Sequence, residues 1–313
     1  MVVLVVALSG AASAASAVGK FVPSDAPRAW RFAASAHAGA AHDSVTAFRY
    51  SEYPAQRSKG FLYSAVGVKS LREAAVSAVS LRRAFAAAAN VTVVTDSAGA
   101  AWLEARSSVR AQFDVVLVAD FADRTWGFRF TKINALLLTP YDNTMFLDAD
   151  TVFCAHGDRY MHTQLTLMFH VLDRFDFAAV HGTFVADTTV GRPANTDLNS
   201  GVSLYRKTPA MFELVRNWRK ELMRRATKAG GVGVVKDQGP LANAIRATPS
   251  VAIWVLPPEF NCRGQRLCDG RYADFASPFV QCLISHTHDH ASQRVWDNWI
   301  DGRADAPPTL VGG

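Results

Sequence analysis

From residue 60 onward, short runs of apolar and β-branched residues alternate with longer stretches whose apolar positions recur three and four apart. Residues 61–66, 91–95 and 115–119 read as buried strands, and residues 70–89 and 98–110 read as helices. This order predicts parallel βαβ units, and so an α/β fold with a mostly parallel sheet flanked by helices. A helix over residues 132–140, stopped by proline, leads into a further strand within residues 143–152 that ends in Asp-x-Asp. The second half predicts a helix over 161–175 and strands over 177–181 and 198–205. Thr208 and Pro209 then give the N-cap and first-position signals of a long helix. On that helix Met211, Leu214, Val215, Trp218 and Leu222 share one face and read as core. Gly230-Gly231-Val232-Gly233 reads as a flexible connection, Asp237 as the N-cap of the next helix, and 251–256 as a late strand ending at Pro257-Pro258.

The flanks lack such periodicity. Residues 1–17 carry no charged side chain and end in small residues, which reads as a signal peptide or an uncleaved anchor. The run is shorter and less apolar than the roughly 20 residues of a membrane span. Residues 18–58, rich in Ala, Ser, Pro and His, read as a stem or irregular extension. The main domain then covers 59–300, and a flexible tail covers 301–313. This layout predicts the secretory pathway, as a Golgi-lumenal or secreted protein, with membrane association possible only through the N-terminus.

Composition changes the picture little. Half of the 313 residues are apolar, 19% are charged, and the net charge is +6. No concentrated basic stripe stands out, which argues against a nucleic-acid partner. A mildly basic protein handling an anionic, phosphorylated substrate fits. The four cysteines, Cys154, Cys262, Cys268 and Cys282, suit an oxidising compartment. Cys262 and Cys268 bracket a short loop and read as one bridge, leaving Cys154 and Cys282 as the other; four unrelated thiols is the alternative. The sequon Asn90-Val91-Thr92 runs into a strand, which disfavours its use.

The chemistry concentrates in five segments. Asp148-Ala149-Asp150 ends an apolar strand, so its two carboxylates can converge on one Mg²⁺ or Mn²⁺. A solvated turn is the plainer reading. Lys132, one helix and one strand earlier, can return to the same sheet edge and offer a cation to a phosphate. Asn199-Ser200-Gly201 sits in a strand, where glycine often marks close approach by a ligand and Asn can read hydroxyls; a bulge explains it equally well. Asp237-Gln238 opens a helix, and the sequence 256–261 leaves a strand as Leu-Pro-Pro-Glu-Phe-Asn. Finally His286, His288 and His290 follow an apolar strand, with His286 just past it as the metal ligand of choice and His288 as the alternative.

Taken in order, these segments resemble the glycogenin-like branch of the retaining GT-A glycosyltransferases, which includes galactinol synthase and plant glucuronyl-transferring relatives. The resemblance covers about residues 60–296, and its strongest block runs from Lys132 to Val152. It implies a GT-A fold and Mn²⁺ (or Mg²⁺) bound by Asp148, Asp150 and His286. It implies a donor site of Ser64, Lys132, Asp148, Ala149, Asn199, Gly201 and Arg294, with Asp237 and Gln238 as catalytic residues. It further implies a nucleotide-sugar donor, commonly a UDP-sugar, and a carbohydrate, polyol or protein acceptor, with the anomeric configuration retained.

The chain departs from the family at three places. The lysine expected after the metal histidine is replaced near Ser292, with Arg294 as a substitute. His181 stands where an acid is common, and the first strand lacks the nearby tyrosine that stacks on the base in some members. Asp148 also fits the nucleophile motif of haloacid-dehalogenase-type phosphatases, although that motif usually lies on the first strand. A sugar nucleotidyltransferase would need a Gly-rich loop that Val66-Gly67-Val68-Lys69 does not supply. A degenerate, secreted carbohydrate-binding protein on the same scaffold is the reading from a different class.

Overall fold

The computed structural model describes residues 2–10, 28–36, 59–85, 90–121, 127–154, 158–182, 198–230, 235–263, 282–286, 296–301, 303, 304 and 307. The main sheet contains β1 (Val2–Gly10), β2 (Arg28–Ala36), β3 (Lys59–Ser64), β4 (Val91–Thr95), β5 (Val115–Phe121) and β6 (Asn143–Leu147). A short β7 (Thr151–Phe153) follows, then β8 (Phe177–His181), β9 (Leu198–Arg206) and β10 (Ile253–Leu256) return to the main sheet. In space the core order is β10-β8-β9-β6-β3-β4-β5, extended at the β5 edge by β1 and β2. β9 runs antiparallel to both of its neighbours, and the other pairs are parallel. Among the described residues no helix is long and apolar enough to cross a membrane.

Helices cover both faces, which is why β4 is buried at all its positions and reads as a continuous apolar run. Strand periodicity divides the core in two. Phe61, Tyr63, Val91, Val93, Met145 and Leu147 face α1 (Val68–Phe85), α2 (Ser97–Glu104) and α5 (Asp158–Val171). Leu62, Val94, Leu117 and Phe146 face the opposite way, onto α4 (Gly127–Ala135), α6 (Pro209–Lys228) and α7 (Gln238–Arg246). The expected face of α6 is the one buried, and Thr208 caps it by accepting from Met211 N at 3.2 Å.

α1 lies between the main sheet and a smaller one, so it carries Ala and Ser where a surface helix would carry charge. Ala74, Ala75, Ser77 and Ala78 are fully buried. The small sheet is β11 (Cys262–Arg263), β12 (Ile284–His286) and β7, in that order. Ser77 Oγ lies 2.9 Å from both Tyr63 Oη and Thr151 Oγ1, and Ser80 Oγ accepts from Phe153 N at 2.9 Å. Buried hydroxyls on α1 therefore fix β7, the strand that follows the Asp-x-Asp turn. The short α8 (Asp297–Ile300) closes this side, where Asp297 and Asp301 accept from Arg72 at 2.6 and 2.5 Å.

Four expectations are corrected. The single helix over 98–110 breaks into α2 and α3 (Ser107–Arg110) because Arg106 leaves helical geometry at φ −138°, ψ 76°. The helix holding Lys132 begins earlier, at Gly127, so Lys132 is an interior position rather than a helix start. His286 is the last residue of β12 rather than the first beyond it. Among the described residues a bridge joins Cys262 and Cys282, with Cα atoms 5.9 Å apart, in place of the expected Cys262–Cys268 and Cys154–Cys282 pairs. β11 and β12 are adjacent strands, which brings those two cysteines together with Cys154 buried beside them. Cys268, like His288, His290, Ser292 and Arg294, lies outside the described residues. Asn90 Nδ2 donates to Lys59 O at 3.0 Å.

α6 and α7 are tied by Glu221, whose Oε1 accepts from Arg225 Nε at 2.8 Å and from Asn243 Nδ2 at 2.6 Å. Arg224, which donates to both Glu221 oxygens, is the main cause that holds this carboxyl down to about 2. A depressed carboxyl stabilises the fold above its ordinary value of about 4.3, and that contribution is lost as pH falls toward the folded value. Glu221→Gln is expected to lower unfolding free energy by about 1 kcal/mol at neutral pH. Urea titrations of both proteins at pH 7 and near pH 3 check this, because the difference should shrink at the lower pH.

Candidate active site

Asp148 stands one residue past the β6 ladder, and its N donates to Gly201 O at 2.7 Å. The chain then turns tightly, because Thr151 Oγ1 donates back to Asp148 O at 2.8 Å. That turn sets Asp150 beside Asp148, while β7 leads away to pair antiparallel with β12. The pairing places Thr151 opposite His286, which delivers the imidazole to the acids. His286 Nε2 lies 3.2 Å from Asp150 Oδ1 and 3.7 Å from Asp148 Oδ2. One ligand atom from each of the three residues falls within 4.8 Å of the others.

Two buried amides back the histidine. His286 Nδ1 is 2.9 Å from Asn261 Oδ1, and Asn261 Nδ2 donates to Asn199 Oδ1 at 2.9 Å. Asn199 Oδ1 also accepts from Gly201 N at 2.8 Å. Gly201 is required by space rather than by φ. A Cβ there would lie 2.6 Å from His286 Nδ1 and 2.9 Å from Asp148 Oδ2.

On the other side of Asp148, Lys132 reaches in from α4. Its Nζ lies 2.8 Å from Asp148 Oδ1, 3.3 Å from Asp237 Oδ2 and 3.0 Å from Ser200 Oγ. Ser200 Oγ in turn donates to Asp237 Oδ2 at 2.6 Å. Burial alone would lower the Lys132 ammonium, but Asp148 and Asp237 outweigh it and hold it above its ordinary value. Burial alone would likewise raise Asp237, yet Lys132 and the Ser200 hydrogen bond keep it below the usual carboxylate value. The expected N-cap role of Asp237 is corrected: it has helical φ/ψ and no side-chain capping bond, since its carboxylate is committed to Lys132 and Ser200.

A cleft of about 630 Å³ opens over this corner. Ser64, at the end of β3, lines it together with Ala149, Asn199 and Gln238. Lys132, Asp148, Asp150, Asp237 and His286 also reach it. Its position at the carboxyl ends of β3 and β6 is where open α/β sheets place ligands. His181 ends β8 exposed. Sequence reasoning missed Ser200, which sat inside a quoted motif with no role, and the second-layer part played by Asn261. It also missed Lys69 on α1, Arg129 on α4 and Lys236 just ahead of α7, cations that line the same cleft. Lone surface-type cations carry no local signal of a shared destination.

The residues fit a hard divalent ion. Two carboxylates and one imidazole suit Mn²⁺ or Mg²⁺ better than a soft metal. Asp148, Asp150, Asp237 and Lys132 together leave about two negative charges, which a divalent cation would cancel.

No protein-family model and no curated protein matches the chain. Solved structures do. The glycosyltransferase GlyE of Streptococcus pneumoniae superposes with a TM-score of 0.50 at 16% identity, over 78% of this chain and 60% of GlyE. The bifunctional glycosyltransferase WbbM superposes with a TM-score of 0.51 at 13% identity, over 80% of this chain and 52% of WbbM. The galactosyltransferase LgtC, solved with donor and acceptor sugar analogues, gives 0.47 at 16% identity, over 80% and 97% of the two chains. This chain therefore spans between half and two thirds of GlyE and WbbM, and it shares their fold. The fold is of the GT-A type.

Gly201→Ala tests the packing at the corner. The added methyl must displace His286 or Asp148, and overpacking of this kind costs about 1–3 kcal/mol. Urea denaturation should show that loss, and a Mn²⁺ titration of the folded variant should show weaker binding than in the parent.

Proposed function

We propose that the chain is a glycosyltransferase that moves a sugar from a nucleotide-diphosphate donor to a hydroxyl acceptor. The observation that carries this reading is the convergence of Asp148, Asp150 and His286 at the end of β6, inside a cleft edged by Lys69, Arg129 and Lys236. The shared fold with GlyE and WbbM, both glycosyltransferases by name, supports it. The sequence resemblance supplies the finer reading: the glycogenin-like branch, a UDP-sugar donor and transfer with retention.

Asp148, Asp150 and the His286 imidazole would hold Mn²⁺ or Mg²⁺. Such an ion supplies Lewis-acid neutralisation of the departing diphosphate. The remaining work falls to the chain. Lys132 offsets two carboxylates at once, Asp148 and Asp237. Asp237, held below the usual carboxylate value, offers fixed negative charge to the positive charge that develops at the anomeric carbon. Gln238, one residue on, presents an amide to the same cleft for sugar hydroxyls. The cations at the rim favour entry of an anionic donor.

The acceptor in this reading is a hydroxyl of a carbohydrate, a polyol or a protein. The Cys262–Cys282 bridge supports a home in the secretory pathway, in the Golgi lumen or outside the cell.

A panel of nucleotide sugars assayed with Mn²⁺ for released nucleotide tests the proposal. We expect turnover of a UDP-sugar and at least an about hundredfold loss in Asp150→Ala, the scale of losing one preorganised electrostatic contact. Equal release by the two proteins would remove the site assignment.

A further inference from the structure

We infer that Asn261 is a positioning residue that fixes the tautomer of His286, and through it the affinity of the corner for a divalent ion. The inference rests on the metal reading above and deepens it. Its starting point is a group whose role is not open to choice: the Gly201 backbone N–H can only donate. The Asn199 atom 2.8 Å from it is therefore the amide oxygen. The Asn261 atom 2.9 Å from that oxygen must then be its NH₂, since two amide oxygens would repel. This leaves Asn261 Oδ1 facing His286 Nδ1 at 2.9 Å, and an oxygen that only accepts requires a proton on Nδ1.

A neutral imidazole carries one N–H, so its lone pair sits on Nε2. Nε2 is the atom that points at Asp150 and Asp148. Asn199, Asn261 and His286 are 2%, 2% and 4% exposed, so water does not compete for these bonds. A solvated histidine side chain prefers the opposite tautomer, with the proton on Nε2, where it would block a metal. The relay from Gly201 through Asn199 and Asn261 opposes that preference by holding a proton on Nδ1, which leaves Nε2, facing Asp150 and Asp148, as the nitrogen an ion would take. Partners of this kind behind a ligating histidine typically govern affinity 10–100-fold.

The test uses the full chain labelled with ¹⁵N-histidine, free of metal, at about pH 8.5, where an ordinary imidazole is neutral. Long-range ¹H–¹⁵N correlation, with His286 assigned by loss of its signals in His286→Gln, should show a proton on Nδ1. A ring protonated on Nε2 alone overturns the inference. Asn261→Leu should show a mixture of tautomers and bind Mn²⁺ about 10–100-fold more weakly in an electron-paramagnetic-resonance titration. Parental tautomer or parental affinity in that variant also overturns it. If the variant does not fold, the spectrum of the parent still decides where the proton sits. A parent with the Nδ1–H pattern that binds no Mn²⁺ overturns the metal reading of the corner and leaves the relay standing.

Discussion

The site hangs on one main-chain contact, where β9 continues to pair with the chain just beyond the end of β6. Gly201 accepts from Asp148 N through its carbonyl and donates to Asn199 through its N–H. Its missing side chain leaves the space that the His286 ring fills. A single residue thereby fixes an acid directly and an imidazole at second hand. The antiparallel insertion of β9 into an otherwise parallel neighbourhood makes this possible, because it sets the backbone of residues 199–201 against the outgoing end of β6.

Around that contact the electrostatics are arranged as a chain of opposite charges. An ammonium group buried with two carboxylates would be costly without hydrogen bonds to complete it, and Ser200 supplies them to both Lys132 and Asp237. The corner is left with a negative excess on the side of Asp148 and Asp150, and the rest of the cleft carries Lys69, Arg129 and Lys236 against the single carboxylate of Glu73. That polarity suits a bound dication beside an anionic ligand.

Much of this was legible in the sequence for a physical reason. β4 matches its expected span because a β-branched run buried on both faces has no other comfortable conformation. Asp148 and Asp150 were readable because an apolar strand that ends on alternate acids announces a sheet rim. Lys132 reached the expected corner even though its helix began at Gly127, since a glycine start and an aromatic-rich first turn hide a helix boundary. The misreadings share a cause. Asp237 has the local signature of a cap, and only tertiary contact reveals that its carboxylate is engaged elsewhere. The pairing of Cys262 with Cys282 depends on β11 lying next to β12, and the three cleft cations depend on two helices and a connection meeting in space. None of these leaves a mark at the level of neighbouring residues.

The order in which the ligands occur along the polypeptide has a consequence of its own. The two carboxylates arise from one tight turn near the middle of the molecule, whereas the imidazole arrives on a strand more than a hundred residues later. Cys262 adjoins Asn261, and Cys282 lies on the run into His286, so the covalent cross-link ties the histidine's support to the histidine. A polypeptide cut short before β12 would keep every strand of the large sheet and both acids. It would still lack the imidazole that joins the two acids in the three-residue cluster, because that side chain comes from β12.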